Sequence, residues 1–377
     1  EQVYAKARQG LSVGVRRRGL RLVTKAFHGR ELVAWLVTDL DMPQSSGRAV
    51  AQKLYDLQFF SLALEGASTT EKCLFSEEEI YRWFADTVVA LNVTTEWAGE
   101  VRPAMEVVAE IRQLLLDMEC RYFDASGKAV NYDAIGASTE FRDYQLCAME
   151  LQKVDLRSLS EAARMAFFIN TYNILMIHGS IVYGPPSSAL ERKGFFSKVA
   201  YVIAGQHFTL NDIEHGILRA NTKPPGALFR CFGSGDERLA FAMRKTDPRI
   251  HFVLNCGAKS CPAIKILSAE NLEDALQAAA EGFCDEEVTV DQYGGSVRLS
   301  MIFKWYGGDF SESGSTRDLL LYVADFMNAG KGKALRELVE QHDERRTAVP
   351  VTYSNYDWAR NATLEEHAVE PIHEGSF

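Results

Sequence analysis

The segment from Leu156 to His178 is almost continuously apolar, and it constrains the fold more than any other part of the chain. Ser158 and Glu161 form a capping-box pattern, and the alanines and large apolar residues that follow predict one helix running to Gly179. A helix this apolar must be buried on most of its surface. The sequence therefore predicts a sizeable core around this helix.

Three polar residues interrupt the apolar helix, namely Asn170, Asn173 and His178. Asn170 and His178 share one stripe of the helix, and Asn173 lies close beside it. A buried polar group left unpaired costs about 1–3 kcal/mol, so each of the three needs a partner. Two interpretations stay open, because these side chains could brace neighbouring backbone loops or could line a functional site.

A second capped helix is predicted after Thr209. Thr209 and Asp212 form its capping pattern, and Glu214 and His215 follow at once. Neighbouring residues diverge by about 100 degrees on a helix, so Glu214 and His215 are expected to find separate partners. A histidine suits proton transfer near neutral pH, and a glutamate could orient it or bind a substrate amine. The alternative is a paired core histidine beside a capping glutamate.

The segment Arg249–Pro262 joins a strand-like half to a loop that carries two thiols. Residues 249–254 are rich in β-branched and aromatic residues, which predicts a short central strand. Cys256 and Cys261 would then lie at a strand end, where open α/β folds place their chemistry, and Gly257 would permit close approach. A nucleophilic cysteine needs a lowered pKa, which a histidine, a cation or free backbone amides can supply.

Other interpretations of these thiols stay open. Structural zinc would need two further ligands, and no second matching cysteine pair is present. A reversible disulfide and two inert, apolar-packed thiols are the remaining alternatives. The sequence has no G-x-S-x-G elbow, G-x-G-x-x-G loop or Walker loop, which argues against serine hydrolysis and nucleotide-dependent chemistry. We therefore predict no metal and no cofactor.

These residue types suggest a papain- or transglutaminase-like mechanism. Cys256 or Cys261 would be the nucleophile, His215 the base, and Glu214 or Asn173 the orienting group. The order of these segments differs from the usual papain order, which implies a permuted or unrelated core. The competing hypothesis is a noncatalytic signalling adaptor whose larger domain binds a peptide or a small ligand.

Together these segments resemble the family known as domain of unknown function 547. The resemblance covers most of residues 120–361 and rests on the segments 166–178, 210–219, 249–262, 299–306 and 356–358. It implies no established activity, and some relatives differ at the two cysteine positions. The family pattern emphasises Asn170, Tyr172, Asn173, His178, Glu214, His215, Arg219, Gly257, Ser260 and Pro262. The catalytic candidates are Cys256, Cys261, His215, Glu214 and His178. The substrate-binding candidates are Asn170, Asn173, Tyr172, Arg219 and Ser260.

The first part of the chain has a different pattern. Residues 32–37 are apolar at near-helical spacing behind a glycine, residues 45–59 predict a second helix, and a short β-rich segment follows. Residues 10–86 resemble the DEP family through 27–36, 49–54, Phe75 and 81–84. The resemblance implies a small winged-helix-like, mainly helical module without catalytic residues. Its partner would be an anionic membrane surface or a signalling protein.

Positive charge is concentrated in this first part, at Arg16, Arg17, Arg18, Arg21 and Lys25. Each cation near an anionic membrane surface contributes ~1 kcal/mol, so this cluster predicts docking, with a solvated basic face as the alternative. Over the whole chain, 41 basic against 51 acidic residues give a net charge of −10. This balance argues against nucleic-acid binding.

The length of 377 residues and the 47% hydrophobic content predict more than one domain. We predict a DEP-like domain over 1–86, a helical connector over 87–120, a larger mixed domain over 121–361 and a tail over 362–377. A hairpin over 288–299 and a helix over 318–327 complete an α/β or α+β fold. The seven scattered cysteines and the absence of a secretory or spanning segment predict a cytoplasmic protein, peripheral to the membrane if its docking module binds there.

Overall fold

The computed structural model describes residues 3, 6–7, 10–18, 21–56, 60–62, 75–83, 89–122, 131–186, 189–227, 229–254, 267–311 and 313–354. The chain divides into two compact units, Glu1–Val88 and Val89–Phe377. Several predicted positions lie outside the described residues, namely Cys256, Gly257, Ser260, Cys261, Pro262 and 356–358.

The first unit contains a four-stranded antiparallel sheet. Strands β1 (Gly14–Arg18) and β2 (Arg21–His28) form a hairpin. Strands β3 (Phe60–Leu62) and β4 (Ile80–Trp83) complete the order β1-β2-β4-β3. The basic cluster of the sequence therefore lies on a hairpin.

Two helices pack within the first unit, as the apolar spacing predicts. They are α1 (Gly29–Asp39) and α2 (Gln44–Asp56). Their core joins Leu32, Leu36 and Leu54 to aromatic residues of the sheet. Both helix predictions are confirmed, although the unit contains more strand than the mainly helical module expected above.

The second unit is built around one long helix, α6 (Glu161–Tyr183), which packs against three helices that precede it. These are α3 (Ala104–Tyr122), α4 (Tyr132–Ala137) and α5 (Thr139–Met149). The mean hydropathy of α6 reaches 1.3 over a window long enough for a membrane span, but 83% of that window is buried inside the protein. The predicted core around this helix is confirmed, and α3, which falls in the predicted connector, belongs to that core.

The ends of α6 differ from those predicted. Ser160 caps the helix by accepting a hydrogen bond from the Ala163 amide, whereas the Ser158 hydroxyl bonds a preceding carbonyl. The helix ends before Gly184, which has a φ of +74°. Gly179 lies inside the helix, where a Cβ would come within 2.6 Å of the Phe195 ring. Its absent side chain serves close packing and does not end the helix.

A three-stranded sheet follows helix α7 (Ala189–Lys198). Strand β6 (Val199–Ile203) pairs in parallel with β5 (Val89–Ala90) and antiparallel with β7 (Gln206–Thr209). Just after β5, the buried Asn92 side chain hydrogen-bonds the backbone of residues 148 and 202 and so stabilises this edge of the sheet.

The predicted capping pattern after β7 is confirmed. The Thr209 amide donates to the Asp212 carboxylate at 3.0 Å, and the Asp212 amide donates to the Thr209 hydroxyl at 3.1 Å. The helix that follows is wider than predicted, because Asp212–Leu218 is π-helical. The Arg219 amide accordingly bonds the Glu214 carbonyl, five residues back, at 2.9 Å.

The predicted strand over residues 249–254 is wrong, because Pro248–Phe252 forms a 3-10 helix. Asp247 caps it by accepting from the Arg249 amide, and Pro248 occupies its first turn. A cap followed by proline starts a helical turn, and this local signal prevails over the β-branched composition. A second short 3-10 helix, Glu237–Phe241, precedes it.

The C-terminal part begins with helix α8 (Leu272–Glu287) and the predicted hairpin, which is confirmed as β8 (Thr289–Asp291) and β9 (Ser296–Leu299). Strand β10 (Val351–Tyr353) adds in parallel to β9. The intervening helices are α9 (Met301–Trp305), α10 (Gly307–Phe310), α11 (Thr316–Ala324) and α12 (Ala329–Glu344). With 57% helix and 10% strand, the protein is of the α+β class.

Candidate functional site

Glu214 is a buried carboxylate in the π-helical segment, and two tyrosines hold it. The Tyr306 hydroxyl donates to Oε1 at 2.7 Å, and the Tyr172 hydroxyl donates to Oε2 at 3.1 Å. Burial opposes ionisation, but His215, His251, the Tyr306 hydroxyl and Arg219 together hold the pKa of Glu214 below its ordinary value. Glu214 is therefore charged at neutral pH.

Arg219 and Asp309 form a buried, two-pronged ion pair. Nε and Nη2 of Arg219 donate to Oδ2 and Oδ1 of Asp309 at 2.6 and 2.9 Å. The two side chains are only 4% and 6% exposed. Burial raises the pKa of Asp309, but hydrogen bonds from His251 and Arg219 outweigh it and lower the pKa to about 2. Asp309 is therefore an ionised acceptor.

His251 hydrogen-bonds the carboxylate of this ion pair. Its Nε2 lies 2.8 Å from Asp309 Oδ2. Because the carboxylate can only accept, Nε2 carries a proton and donates it to Asp309. The ring stacks on Tyr306, with centroids 3.9 Å apart. Within the described ranges, Nδ1 has no hydrogen-bond partner, so it is the nitrogen able to take a proton.

His215 lies on the other side of Arg219. Arg219 Nη1 is 3.0 Å from His215 Nδ1, and because a guanidinium can only donate, Nδ1 accepts and the proton sits on Nε2. Burial is the main cause that lowers the pKa of His215, while Glu214 opposes it. Glu214 Oε1 lies 3.6 Å from Nδ1, beyond a hydrogen bond. Glu214 and His215 thus find separate hydrogen-bond partners, as predicted.

A continuous hydrogen-bonded chain therefore runs from His215 through Arg219 and Asp309 to His251. The Arg219 guanidinium also lies over the Tyr306 ring, 5.0 Å from its centroid. We call the following seven residues the Glu214 cluster: Tyr172, Glu214, His215, Arg219, His251, Tyr306 and Asp309. The cluster brings two histidines, two carboxylates and a guanidinium together, and groups of these types can transfer protons.

Asn170 and Asn173 bond the backbone on both sides of residues 255–266, the segment that carries the two thiols. Asn170 donates to the Leu267 carbonyl at 2.7 Å and accepts from the Leu267 amide at 3.1 Å. Asn173 donates to the Val253 carbonyl at 3.0 Å. Val253 and Leu267 flank residues 255–266. The loop-bracing interpretation therefore applies to both asparagines.

His178 shares a helix with the asparagines but has different surroundings. It is fully buried, its Nδ1 lies 2.8 Å from the Tyr201 hydroxyl, and Phe141 and Tyr144 meet its ring edge to face. Burial lowers its pKa to about 3. None of these contacts belongs to the Glu214 cluster, so His178 is a neutral core residue.

Three of the described cysteines, Cys147, Cys231 and Cys284, are not activated thiols. Burial raises the pKa of Cys147 and Cys284 to about 12 and that of Cys231 to about 11. Cys120 is exposed. Across the ranges that the structure describes, no group of three or more His, Cys, Asp or Glu side chains is arranged to hold a metal ion.

Sequence reasoning assigned no role to His251, Tyr306 or Asp309. His251 was inside the segment singled out for its thiols, and Tyr306 closed one of the segments that carry the family resemblance. Asp309 had no local signal, because it meets Arg219 across 90 positions of sequence. The cap formed by Asp247 and Pro248 was the available clue that His251 lies on a helical turn.

The comparisons with known proteins bear on part of the second unit. The chain has no significant match among curated proteins or among solved structures. The DEP resemblance of residues 10–86 is not tested by any match and stays a prediction. A family model does match residues 156–284, which hold five members of the Glu214 cluster. The matching family is described as "Protein of unknown function, DUF547", and residues 156–284 are similar to it.

Proposed function

We propose that the second unit is a thiol-dependent hydrolase or acyl transferase whose base is His251. The observation that carries the proposal is the hydrogen bond between His251 Nε2 and the ionised Asp309, which Arg219 clamps from the other side. A histidine oriented in this way by a carboxylate, with its second nitrogen available, is the base of Ser- and Cys-dependent acyl transfer. This assignment moves the base from His215 to His251.

The nucleophile in this proposal is one of the two loop cysteines. Asn173 and Asn170 hold the backbone at Val253 and Leu267, so both ends of the loop have defined positions beside the Glu214 cluster. Two residues of chain span at most about 7 Å, and Cys256 follows Leu254 by two residues. Connectivity therefore favours Cys256 over Cys261.

The reaction starts when the thiol proton moves to His251 Nδ1. The sulfur then bonds to a substrate carbonyl carbon, and the carbonyl electron pair moves to oxygen. When the C=O bond reforms, the C–N or C–O bond to the leaving group breaks, and that group takes the proton from His251. Water, or an acceptor nucleophile, then attacks the thioester by the same steps and releases the thiol. The order His251, thiol, Asp309 along the chain agrees with a permuted or unrelated core.

Alkylation of the full chain by iodoacetamide tests this proposal. We expect one of Cys256 and Cys261 to react at neutral pH much faster than Cys147, whose pKa is raised to about 12. His251→Ala should slow that fast reaction about 10- to 100-fold, because the thiolate loses its partner. The matched control is His207→Ala at an exposed position on β7.

Two outcomes would contradict the proposal. If the two loop cysteines and Cys147 react equally slowly, no activated thiol exists, and the second unit is better explained as a ligand-binding adaptor domain. If the fast reaction is unchanged in His251→Ala, a thiol is activated but His251 is not its base.

For the first unit we propose docking to an anionic membrane surface through the β1–β2 hairpin. Arg16 forms an ion pair with Glu31 at 3.0 Å, which offsets part of the local positive charge, while Arg17 on the opposite strand face is exposed. The side chains of Arg18, Arg21 and Lys25 lie outside the described residues. The concentration of basic residues on one hairpin supports this proposal.

A further inference from the structure

We infer that Val13 and Val15, two exposed valines of the β1 segment, insert into the apolar boundary of an anionic bilayer. The inference rests on the proposed docking of the first unit and names the residues that enter the lipid. It is independent of the thiol chemistry proposed for the second unit. Binding would then combine an apolar contribution from the valines with an electrostatic contribution from the basic side chains.

The outward face of the β1 segment carries apolar side chains beside a cation. Val13 directly precedes β1 and is 41% exposed, and Val15 within the strand is 58% exposed. Alternate residues of a strand share a face, so Arg17, which is also exposed, lies on the same face as Val15. This face has the composition of a surface that contacts acyl chains and lipid phosphates together.

The neighbouring arginine holds this segment from its other face. Arg16 Nε donates to Glu31 at 3.0 Å. Its Nη1 and Nη2 donate to the Val15 and Ser12 carbonyls, at 3.3 Å each. Gly14 permits this arrangement, because a Cβ there would come within 2.9 Å of Arg16 Nη1. The guanidinium of Arg16 therefore fixes the backbone of the segment and leaves the valines on the outward face.

The charge of the hairpin favours a lipid surface as the occupant of this face. Residues 13–28 contain five basic residues and no acidic one, although the whole chain has a net charge of −10. Such a segment is attracted to a dense anionic surface, and the attraction brings the valines to the level of the headgroups. Strand β1 is also at the edge of its sheet, where a strand of a second protein copy could pair with it. The experiment below separates the two occupants.

Vesicle binding by the full chain measures the apolar contribution. Val13→Thr combined with Val15→Thr keeps the β-branched shape and removes apolar surface, so binding to vesicles of phosphatidylcholine and phosphatidylserine at low salt should weaken about 10-fold. The salt dependence of binding should stay as in the native chain, because no charge changes. The matched control is Val93→Thr combined with Val101→Thr, two valines of the second unit that are 49% and 56% exposed.

Insertion is also measured directly by fluorescence. In Val15→Trp, the emission added relative to the native chain should shift to shorter wavelength on vesicle binding. It should also be quenched by phosphatidylcholine brominated on its acyl chains, because the added indole reaches their depth. Val101→Trp, at an exposed position of the second unit, should show neither change.

The possible failures are distinguishable. If the threonine variant binds vesicles as well as the native chain and the added tryptophan emission is not quenched, docking is electrostatic alone and the insertion is overturned. If the native chain does not bind these vesicles, the docking proposal is wrong and the insertion with it. If sedimentation velocity shows self-association that the threonine variant abolishes while its vesicle binding is unchanged, the face pairs with a second copy of the chain, which also overturns the inference.

Discussion

Three histidines show how surroundings decide what one residue type can do. His251 bonds an ionised carboxylate and keeps a basic nitrogen free, whereas His215 accepts a hydrogen bond from Arg219. His178 lies among aromatic rings, and burial lowers its pKa to about 3. Composition alone treats them as equivalent, and only their hydrogen-bond partners and burial distinguish them.

His178 should make the protein sensitive to acid. An unfolded histidine has a pKa near 6.5, and the folded value is about 3, so the unfolded chain binds more protons between these values. Stability is therefore complete above about pH 6.5 and falls as pH drops below it. We expect a loss of about 2 kcal/mol between pH 7 and pH 5 from this residue.

Urea unfolding of the native chain and of His178→Phe at both pH values measures this contribution. The phenylalanine variant should lose about 2 kcal/mol less than the native chain on the same pH change, because it removes the titrating ring. His207→Phe, at an exposed position, should leave the pH dependence as it is. An identical pH dependence in the native chain and His178→Phe would show that this ring does not control acid stability.

At the scale of elements, side chains of helix α6 position the Glu214 carboxylate and the backbone on both sides of residues 255–266. Asn170 and Asn173 lie nearly one turn apart on α6 and bond Leu267 and Val253, which flank the thiol-bearing loop. Tyr172, between them in sequence, bonds Glu214 instead. One buried helix therefore sets both the loop ends and the carboxylate.

Asn170→Ala should destabilise the protein and loosen one end of the loop. It leaves the buried amide and carbonyl of Leu267 without their partner, at a cost of about 1–3 kcal/mol. Urea unfolding measures this cost, and hydrogen exchange of the Leu267 amide should quicken. Gln277→Ala, which removes an exposed hydrogen bond on α8, should change stability by less than about 0.5 kcal/mol. An unchanged exchange rate at Leu267 would mean that Asn170 does not brace the loop.

The sequence predicted where helices lie better than it predicted their type, α, π or 3-10, or their long-range side-chain contacts. Caps and apolar spacing are local, so the helices that carry Asn170 and Glu214 were predicted correctly. The π-helical winding of Asp212–Leu218 and the 3-10 turn that holds His251 were not, because both depend on how the segments pack. Asp309 could not be found at all from local patterns, since it reaches Arg219 from 90 positions away.

At the scale of the molecule, the boundary between the two units defines a useful fragment. Strand β5 starts at Val89 and pairs with β6, and Asn92 fastens the same edge, so the second unit needs its chain from residue 89 onward. We expect residues 89–377 to fold and to keep the fast-reacting thiol, because the described residues of the Glu214 cluster all lie within them.

The same fragment tests the docking proposal. The full chain should sediment with vesicles of phosphatidylcholine and phosphatidylserine and should release at high salt, whereas residues 89–377 should stay in solution. Arg17→Glu should weaken binding of the full chain, and Arg345→Glu, an exposed charge reversal in the second unit, should not. Equal binding of the fragment and the full chain would place the membrane contact outside the hairpin.

The pairing of Arg219 with Asp309 has a consequence for the order in which the chain is made. A ribosome delivers both loop cysteines, His215 and His251 well before residue 309. Until Asp309 emerges and folds against Arg219, His251 has no carboxylate to orient it and His215 has no immobilised guanidinium to fix its tautomer. While the residues between Cys261 and Asp309 are being added, the nascent chain would therefore carry ordinary, weakly nucleophilic thiols. Reactivity would arise only once Asp309 has folded against Arg219.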